Sequence, residues 1–288
     1  MIKSYFNIIS ELSKIRITVM VAVTTLTGYI LARKQVDLGI LLPATGIFLL
    51  ACGSSVLNHL QEKRTDAFMA RTKNRPLPSG KVTKTFALLV ALTEIIAGTA
   101  ILYAGSDLEA TLLGLTALLW YNGIYTPLKK VTPNAVIPGS VIGAIPPLVG
   151  WVAGGGNLWS PQALFIAIFF FVWQVPHFYL LAVKFSDQYK AAGFPVITEA
   201  FSEKAIIILI YIWILTTTIS TFFLKLEGLV TSNISAVLII ISAIWLNYQF
   251  LKLLVSKKTV LKPGKYFMKI NYFVLVVVII LSVDHLLI

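Results

Sequence analysis

This sequence is poor in charge, in cysteine and in polar stretches. Only 12% of its 288 residues are charged, whereas 57% are hydrophobic and the mean hydropathy is +0.85. An average soluble domain has about 25% charged residues, so a water-soluble fold is excluded. The absence of any long polar segment leaves no room for a separate soluble domain. The single cysteine, Cys52, excludes an intrachain disulfide and a multi-cysteine metal site. It lies in an apolar run and reads as a packed core thiol, since buried structural cysteines are inert. Acidic residues are scarce, 12 against 24 basic ones, which gives a net charge of +12. The basic residues sit between apolar runs, so membrane topology explains them and no nucleic acid partner is expected. No low-complexity segment occurs. The first residues show neither the apolar core and small-residue cleavage site of a signal peptide nor an Arg- and Ser-rich transit stretch, so no cleaved leader is expected.

What the chain does have is apolar runs. A membrane span needs about 20 apolar residues. Nine stretches qualify, at about 17–32, 38–60, 86–104, 108–126, 134–153, 161–183, 205–224, 229–253 and 266–288. The charge-free stretch 131–183 is long enough for two of them, divided at Gly154-Gly155-Gly156-Asn157 and Pro161. With the N-terminus in the cytoplasm, inner segments hold 21 of the 24 lysines and arginines, and outer segments hold only Arg33, Lys34 and Lys225. Cytoplasmic loops carry such an excess. The expected fold is therefore an all-α polytopic membrane protein of nine helices, N-terminus cytoplasmic and C-terminus outside, forming one domain over 1–288. A bacterial inner (plasma) membrane is the simplest location. Three polar loops, about 61–85, 127–133 and 184–204, then share the cytoplasmic face. Acid-bearing loops follow the second and sixth spans, a faint echo of a two-half bundle.

The densest polar stretch runs from Asn58 to Gly80. Positions 58, 62 and 66 drift by only about 80° around a helix, so Asn58, Glu62 and Asp66 share one face if the second span continues helically. Two carboxylates and an amide oxygen are hard ligands suited to Mg²⁺, which uses one or two carboxylates plus substrate phosphate oxygens. Arg71, Lys73 and Arg75 follow and supply positive charge and guanidinium forks for a phosphate group. The bland alternative is a solvated, charge-balanced topogenic loop. Tyr125 and Lys129 close the fourth span and are placed to reach the same phosphate, or else form an interfacial belt. Trp173-Gln174-Val175-Pro176-His177-Phe178 puts polar groups inside the sixth span, about 10 Å below Lys184 by helical rise. Asp187 is either a second Mg²⁺ ligand facing the first cluster or an ordinary loop acid. Glu94, inside the third span, needs an interior partner. Asp284 and His285 read as interfacial.

These pieces, in this order, resemble the membrane prenyltransferases of the UbiA superfamily. The matching residues are Asn58…Glu62…Asp66, then Met69-Ala70-Arg71-Thr72-Lys73-Asn74-Arg75-Pro76-Leu77, and Tyr125-Thr126…Lys129…Thr132-Pro133-Asn134. Gly143-Ala144-Ile145-Pro146-Pro147-Leu148-Val149-Gly150-Trp151 and Trp173-Gln174-Val175-Pro176-His177-Phe178…Asp187…Tyr189 point to the heme branch. The resemblance implies a nine-helix bundle with a central cavity roofed by the cytoplasmic loops. It implies Mg²⁺-dependent transfer of a farnesyl group from farnesyl diphosphate to a vinyl group of heme b, giving heme O for terminal oxidases. It further implies metal and catalytic roles for Asn58, Glu62, Asp66 and Asp187, and diphosphate binding by Arg71, Lys73, Arg75, Tyr125 and Lys129. A heme pocket would include Trp173 and His177, and a heme-handing partner enzyme is expected.

Two features depart from the superfamily pattern. Glu62 stands where Asp is usual, and Asp187 is followed four residues later by Ala191 rather than a second Asp. Glu199 and Glu203 are not taken as substitutes. Two other functions compete with this one. A prenyltransferase acting on an aromatic quinone precursor or another tetrapyrrole would share every motif. A transporter would place polar groups near the bilayer centre, whereas this chain concentrates them at one end.

Overall fold

The computed structural model describes residues 2–255 and 261–285, and every described element is helical. In hydrocarbon each backbone polar group must be satisfied within its own segment, which makes helices the solution for such apolar runs. In order these are α1 Ile2–Leu12, α2 Ile15–Arg33, α3 Leu41–Asp66, α4 Lys84–Gly105, α5 Leu108–Leu119, α6 Thr126–Leu128, α7 Val136–Ala153, α8 Pro161–Lys184, α9 Ser186–Ala191, α10 Ile197–Ala200, α11 Glu203–Leu226, α12 Asn233–Val255 and α13 Pro263–Asp284. Side-chain caps set several starts. Thr83, Asp107 and Ser160 accept from the backbone N–H groups of Phe86, Ala110 and Ala163 at 3.1, 2.8 and 3.2 Å. Each satisfies a donor that the helix itself cannot.

Among the described residues, eight helices are long and apolar enough to cross a membrane. The expected fourth span, 108–126, is not among them because it is not one α-helix. α5 passes into a π-helical stretch, Trp120–Tyr125, and then into α6. A π-turn inserts an extra residue, and here it falls where polar side chains must meet α3. Three further differences have local causes. α1 was not anticipated; its Phe6 is 71% exposed while Leu12 is buried against Val56 and Leu77, the pattern of an interfacial helix. The eighth span starts at Asn233 rather than at 229. Asp284 and His285 explain this, because they are buried rather than interfacial. Asp284 accepts from Thr231 N and Oγ1 at 2.6 and 2.8 Å and from Ser232 N at 3.1 Å, and His285 Nε2 meets Leu229 O at 3.1 Å. Together they clamp the turn before α12. Residues 286–288 of the expected last span, and Lys257 and Lys258, lie outside the described residues.

Helix α2 packs on α7, α3 on α4, and α8 against α7, α11 and α13. The closest approach is α2 on α7. A Cβ built on Gly28 would collide with the Pro147 carbonyl, and one on Gly150 with that of Thr25. Small residues on facing helices let backbones touch, which drives helix association where the surroundings are already apolar. Thr25 Oγ1 also donates to Pro146 O at 3.0 Å, so the proline pair in α7 is seated on α2. Cys52 is buried with its Sγ 3.4 Å from Thr18 Oγ1, a packed thiol as expected. Glu94 finds its partner in Ser13, whose hydroxyl donates to Oε1 at 2.7 Å.

The α2–α7 crossing supplies a direct test. Gly28→Ala should cost about 1–3 kcal/mol, the usual scale of overpacking, and lower the melting temperature of detergent-purified protein. Gly264→Ala meets only the Lys184 side chain at 3.6 Å or more, and should leave the melting temperature unchanged or slightly raised.

Candidate active site at one end of the bundle

Helix α3 continues to Asp66, so Asn58, Glu62 and Asp66 stand one turn apart on the same face, and all three are buried. Burying two carboxylates is costly unless each is paired, and each is. Arg75 Nη1 lies 2.8 Å from Asp66 Oδ2, and Lys129 Nζ forms an ion pair with Glu62 Oε1. Beyond that ion pair Glu62 Oε1 has no further partner among the described residues. Asn58 Oδ1 accepts from Lys14 Nζ at 2.8 Å, and its Nδ2 donates to Thr126 Oγ1 at 3.1 Å. Acidic and basic groups thus alternate along one helix face.

The π-helical stretch is fastened to that face. Asn122 Nδ2 donates to Ser54 Oγ at 2.6 Å, and Gln61 Nε2 donates to Asn122 O at 2.9 Å. With Asn58–Thr126 these make a polar seam from Ser54 to Gln61, which sets Lys129 opposite Glu62. Tyr125 stacks on Tyr121 and on Phe178, each at 5.7 Å between centroids. Gly139 makes room for it, since a Cβ there would lie 2.6 Å from the Tyr125 ring. Beside this stack a cleft opens, lined by Tyr125, Lys129, Phe178, Tyr189, Phe194 and Ile197.

The third loop closes over the first. Arg71 N–H donates to Gln188 Oε1 at 3.0 Å, and the Arg71 guanidinium lies 4.6 Å over the Phe185 ring. Lys129 Nζ is 5.9 Å from the Phe194 ring centroid. The structure therefore brings together Asn58, Glu62, Asp66, Arg75, Tyr125 and Lys129, with Arg71 at the rim. Lys73 is exposed and away from the ion pairs. Asp187 is exposed on α9, and among the described residues no three His, Cys, Asp or Glu side chains gather to hold a metal. Its neighbour Gln188 makes the link to the first loop. Glu199 and Glu203 are engaged elsewhere, with Lys190 Nζ at 2.6 Å and Leu261 N at 2.9 Å.

Deeper along α8, Trp173 and His177 are half-buried with their rings 5.2 Å apart, and His177 packs on Phe267 of α13. Trp173 Nε1 is a buried donor with no partner among the described residues. His177 Nδ1 sits 2.9 Å from Asn271 Oδ1. Two residues here were missed in the sequence. Asn271 had a signal, being a lone amide inside an apolar span. Lys14 had none beyond its charge. It sits at the break between α1 and α2 with φ 49 and ψ 48, a left-handed conformation uncommon outside glycine. That turn sends its side chain into the cluster. Burial first, then the Arg75 and Lys129 charges, pull its ammonium down to about 7, with Glu62 and Asp66 acting in the opposite sense.

If the Asp66–Arg75 pair holds the first loop, the two residues should be coupled. Asp66→Ala and Arg75→Ala should each destabilise, and the double variant should lose about 1–3 kcal/mol less than the sum of the two, by unfolding in detergent. Additive losses would mean the contact carries no stability.

Residues 21–273 match the UbiA prenyltransferase family. Among curated proteins, the protoheme IX farnesyltransferase of Oleidesulfovibrio alaskensis is 42% identical over 186 residues, 65% of this chain and 66% of that protein. That of Cytophaga hutchinsonii is 42% identical over 193 residues, 66% of this chain and 67% of that protein. That of Nitratidesulfovibrio vulgaris strain Hildenborough is 35% identical over 205 residues, 71% of each. The chain thus spans about two thirds of the length of the curated relatives it matches. In fold it is similar to a digeranylgeranylglyceryl phosphate synthase, with a TM-score of 0.80 at 16% identity over 98% of this chain and 99% of that one. It is also similar to a UbiA homolog from Archaeoglobus fulgidus bound to GPP and Mg²⁺, with a TM-score of 0.72 at 15% identity over 98% and 100%. The motif order, the helical bundle and the matched residues together show that this chain belongs to the UbiA prenyltransferase family.

Proposed function

We propose that this chain transfers a farnesyl group from farnesyl diphosphate to a vinyl group of heme b, making heme O. The observation that carries the reading is that buried Asn58, Glu62 and Asp66 are met by half-buried Lys14, Lys129 and Arg75 at one end of an apolar bundle. Such a site suits a diphosphate whose hydrocarbon tail must enter the apolar interior. Heme b as acceptor is supported by the curated relatives and by the Pro146-Pro147 and Pro176-His177-Phe178 motifs.

The donor set fits Mg²⁺. Asn58, Glu62 and Asp66 offer hard oxygens on one face, and all three side chains are buried. Magnesium there would neutralise the diphosphate and make it a better leaving group. Lys14, Arg75 and Lys129 stand beside those oxygens and stabilise the charge that develops on the departing phosphates. Arg71 and Lys73 extend positive charge outward from the mouth, and Asp187 is the outer carboxylate. Tyr125, Phe178 and Phe194 wall the cleft and exclude water from an allylic cation. Trp173 and His177 are assigned to the heme pocket.

The same reading includes nine crossings of a bacterial inner membrane in one domain over 1–288, with the N-terminus cytoplasmic and the C-terminus outside. It counts the unbroken helical path of α5, the π-helical stretch and α6 as a crossing, and it takes the basic residues of the motif-bearing loops as the inner face. Product heme O would pass to terminal oxidases through a heme-handing partner.

Membranes holding the chain, given heme b, farnesyl diphosphate and Mg²⁺, should form a product heavier than heme b by one farnesyl group and one hydroxyl, with diphosphate and a proton released. Asp66→Ala should slow this by about 10²–10³-fold, the scale of losing one preorganised electrostatic contact, and chelation of Mg²⁺ should abolish it. An unchanged rate in Asp66→Ala would remove the metal assignment. Prenylation of an aromatic quinone precursor in place of heme would replace the acceptor.

A further inference from the structure

His177 occupies an unusual setting for a membrane histidine. Its ring is enclosed by Trp173, Phe267 and Phe178, at centroid distances of 5.2, 4.6 and 5.7 Å. Those neighbours fix the plane of the ring but offer it no polar contact. Its polar partner is Asn271 on α13, where Oδ1 lies 2.9 Å from Nδ1. Phe267 and Asn271 are one turn apart on α13, just as Trp173 and His177 are on α8. His177 therefore meets both Phe267 and Asn271 across the α8–α13 seam. With Oδ1 accepting, Nδ1 carries the proton and Nε2 keeps its lone pair. The ring is only half-buried, and Nε2 has no hydrogen-bond partner among the described residues. One turn away, Trp173 Nε1 is a buried donor that also lacks a partner. A lone pair and an unmet N–H on neighbouring rings suit a ligand with its own polar centre. Phe178, next to His177 in sequence and 5.7 Å from its ring, stacks on Tyr125 and lines the Lys129 cleft, so His177 lies beside the donor site.

We propose that Asn271 is a positioning residue, holding His177 so that Nε2 becomes an axial ligand to the iron of the heme acceptor. This rests on the heme reading above. The step is a ligand exchange. Nε2 gives its lone pair to iron, a water or hydroxide ligand leaves, and no electron or proton is transferred to the protein. The macrocycle is then anchored at its centre, which leaves its vinyl edges to be presented to the farnesyl cation. An imidazole hydrogen-bonded through its other nitrogen is the usual form of a metal-ligating histidine, because that bond fixes tautomer and orientation and raises basicity. A purely structural bond between α8 and α13 is the competing account.

The test uses the full chain purified in detergent, with ferric heme b added and the optical and electron paramagnetic resonance spectra recorded. Wild type should show histidine-ligated heme. His177→Ala should lose that signature, and added imidazole should restore it. Asn271→Leu should shift the spectrum and raise KM for heme by about 10–100-fold, the range for losing a partner of a metal-bound histidine, with KM for farnesyl diphosphate unchanged. Asn271→Asp keeps the acceptor and should recover the wild-type spectrum. If Asn271→Leu and His177→Ala keep the wild-type heme spectrum while only the melting temperature falls, the bond is structural and the proposal is overturned. If wild type prenylates heme without a histidine signature, the proposal fails and the farnesyl transfer stands. If wild type neither binds nor prenylates heme, the acceptor assignment fails and takes the proposal with it.

Discussion

Charge pairing along one face of α3 is the constraint on which this structure turns. Glu62 and Asp66 are buried at the end of a bundle that is otherwise hydrocarbon, and a buried carboxylate is tolerated only when compensated. The compensation comes from three different segments. Lys14 arrives from the break between α1 and α2, Arg75 from the loop after α3, and Lys129 from beyond the π-helical stretch. Each segment is therefore committed in conformation by the charge it must deliver. The left-handed backbone at Lys14, the turns from Met69 to Gly80 and the π-helical Trp120–Tyr125 all read as consequences of that demand. The glycines that let α2 meet α7, and Tyr125 sit against α7, supply the close packing that keeps these segments in place.

The same pairing accounts for the division of space. The paired charges of the candidate site lie at one end, where loops meet through Arg71 and Gln188. Below it the walls turn aromatic, through Tyr121, Tyr125 and Phe178 to Trp173 and His177. A substrate with an anionic head and a long apolar tail matches that gradient. Polar groups below the aromatic wall are few, and His177 and Asn271 satisfy each other across two helices.

Much of this was legible from residue order. Hydropathy placed eight spans to within about six residues at each end, because runs such as 161–183 have no alternative but a helix in lipid. The 58, 62, 66 spacing placed three side chains on one face, because α3 does continue through the polar residues. What was hidden depends on tertiary demand. The π-helical stretch has no signature in Trp120-Tyr121-Asn122-Gly123, and it arises from fitting Asn122 and Thr126 to α3. Lys14 looked like a topogenic charge because backbone handedness, not residue type, turns it inward. Asp187 was read as facing the first cluster from motif order alone, and the structure leaves it exposed on α9. Asp284 looked interfacial because the turn it clamps is distant in sequence.

The central claim is that the face bearing Asn58, Glu62 and Asp66 binds a divalent metal together with a prenyl diphosphate. Manganese(II) is a paramagnetic substitute for magnesium, so the most direct measurement is its binding to the purified chain by electron paramagnetic resonance, with and without a non-hydrolysable farnesyl diphosphate analogue. The account predicts tight binding only when the analogue is present, lost in the Glu62→Gln and Asp66→Asn variants and kept in Glu199→Gln. Manganese binding that ignores the analogue, or that survives both substitutions, would contradict it.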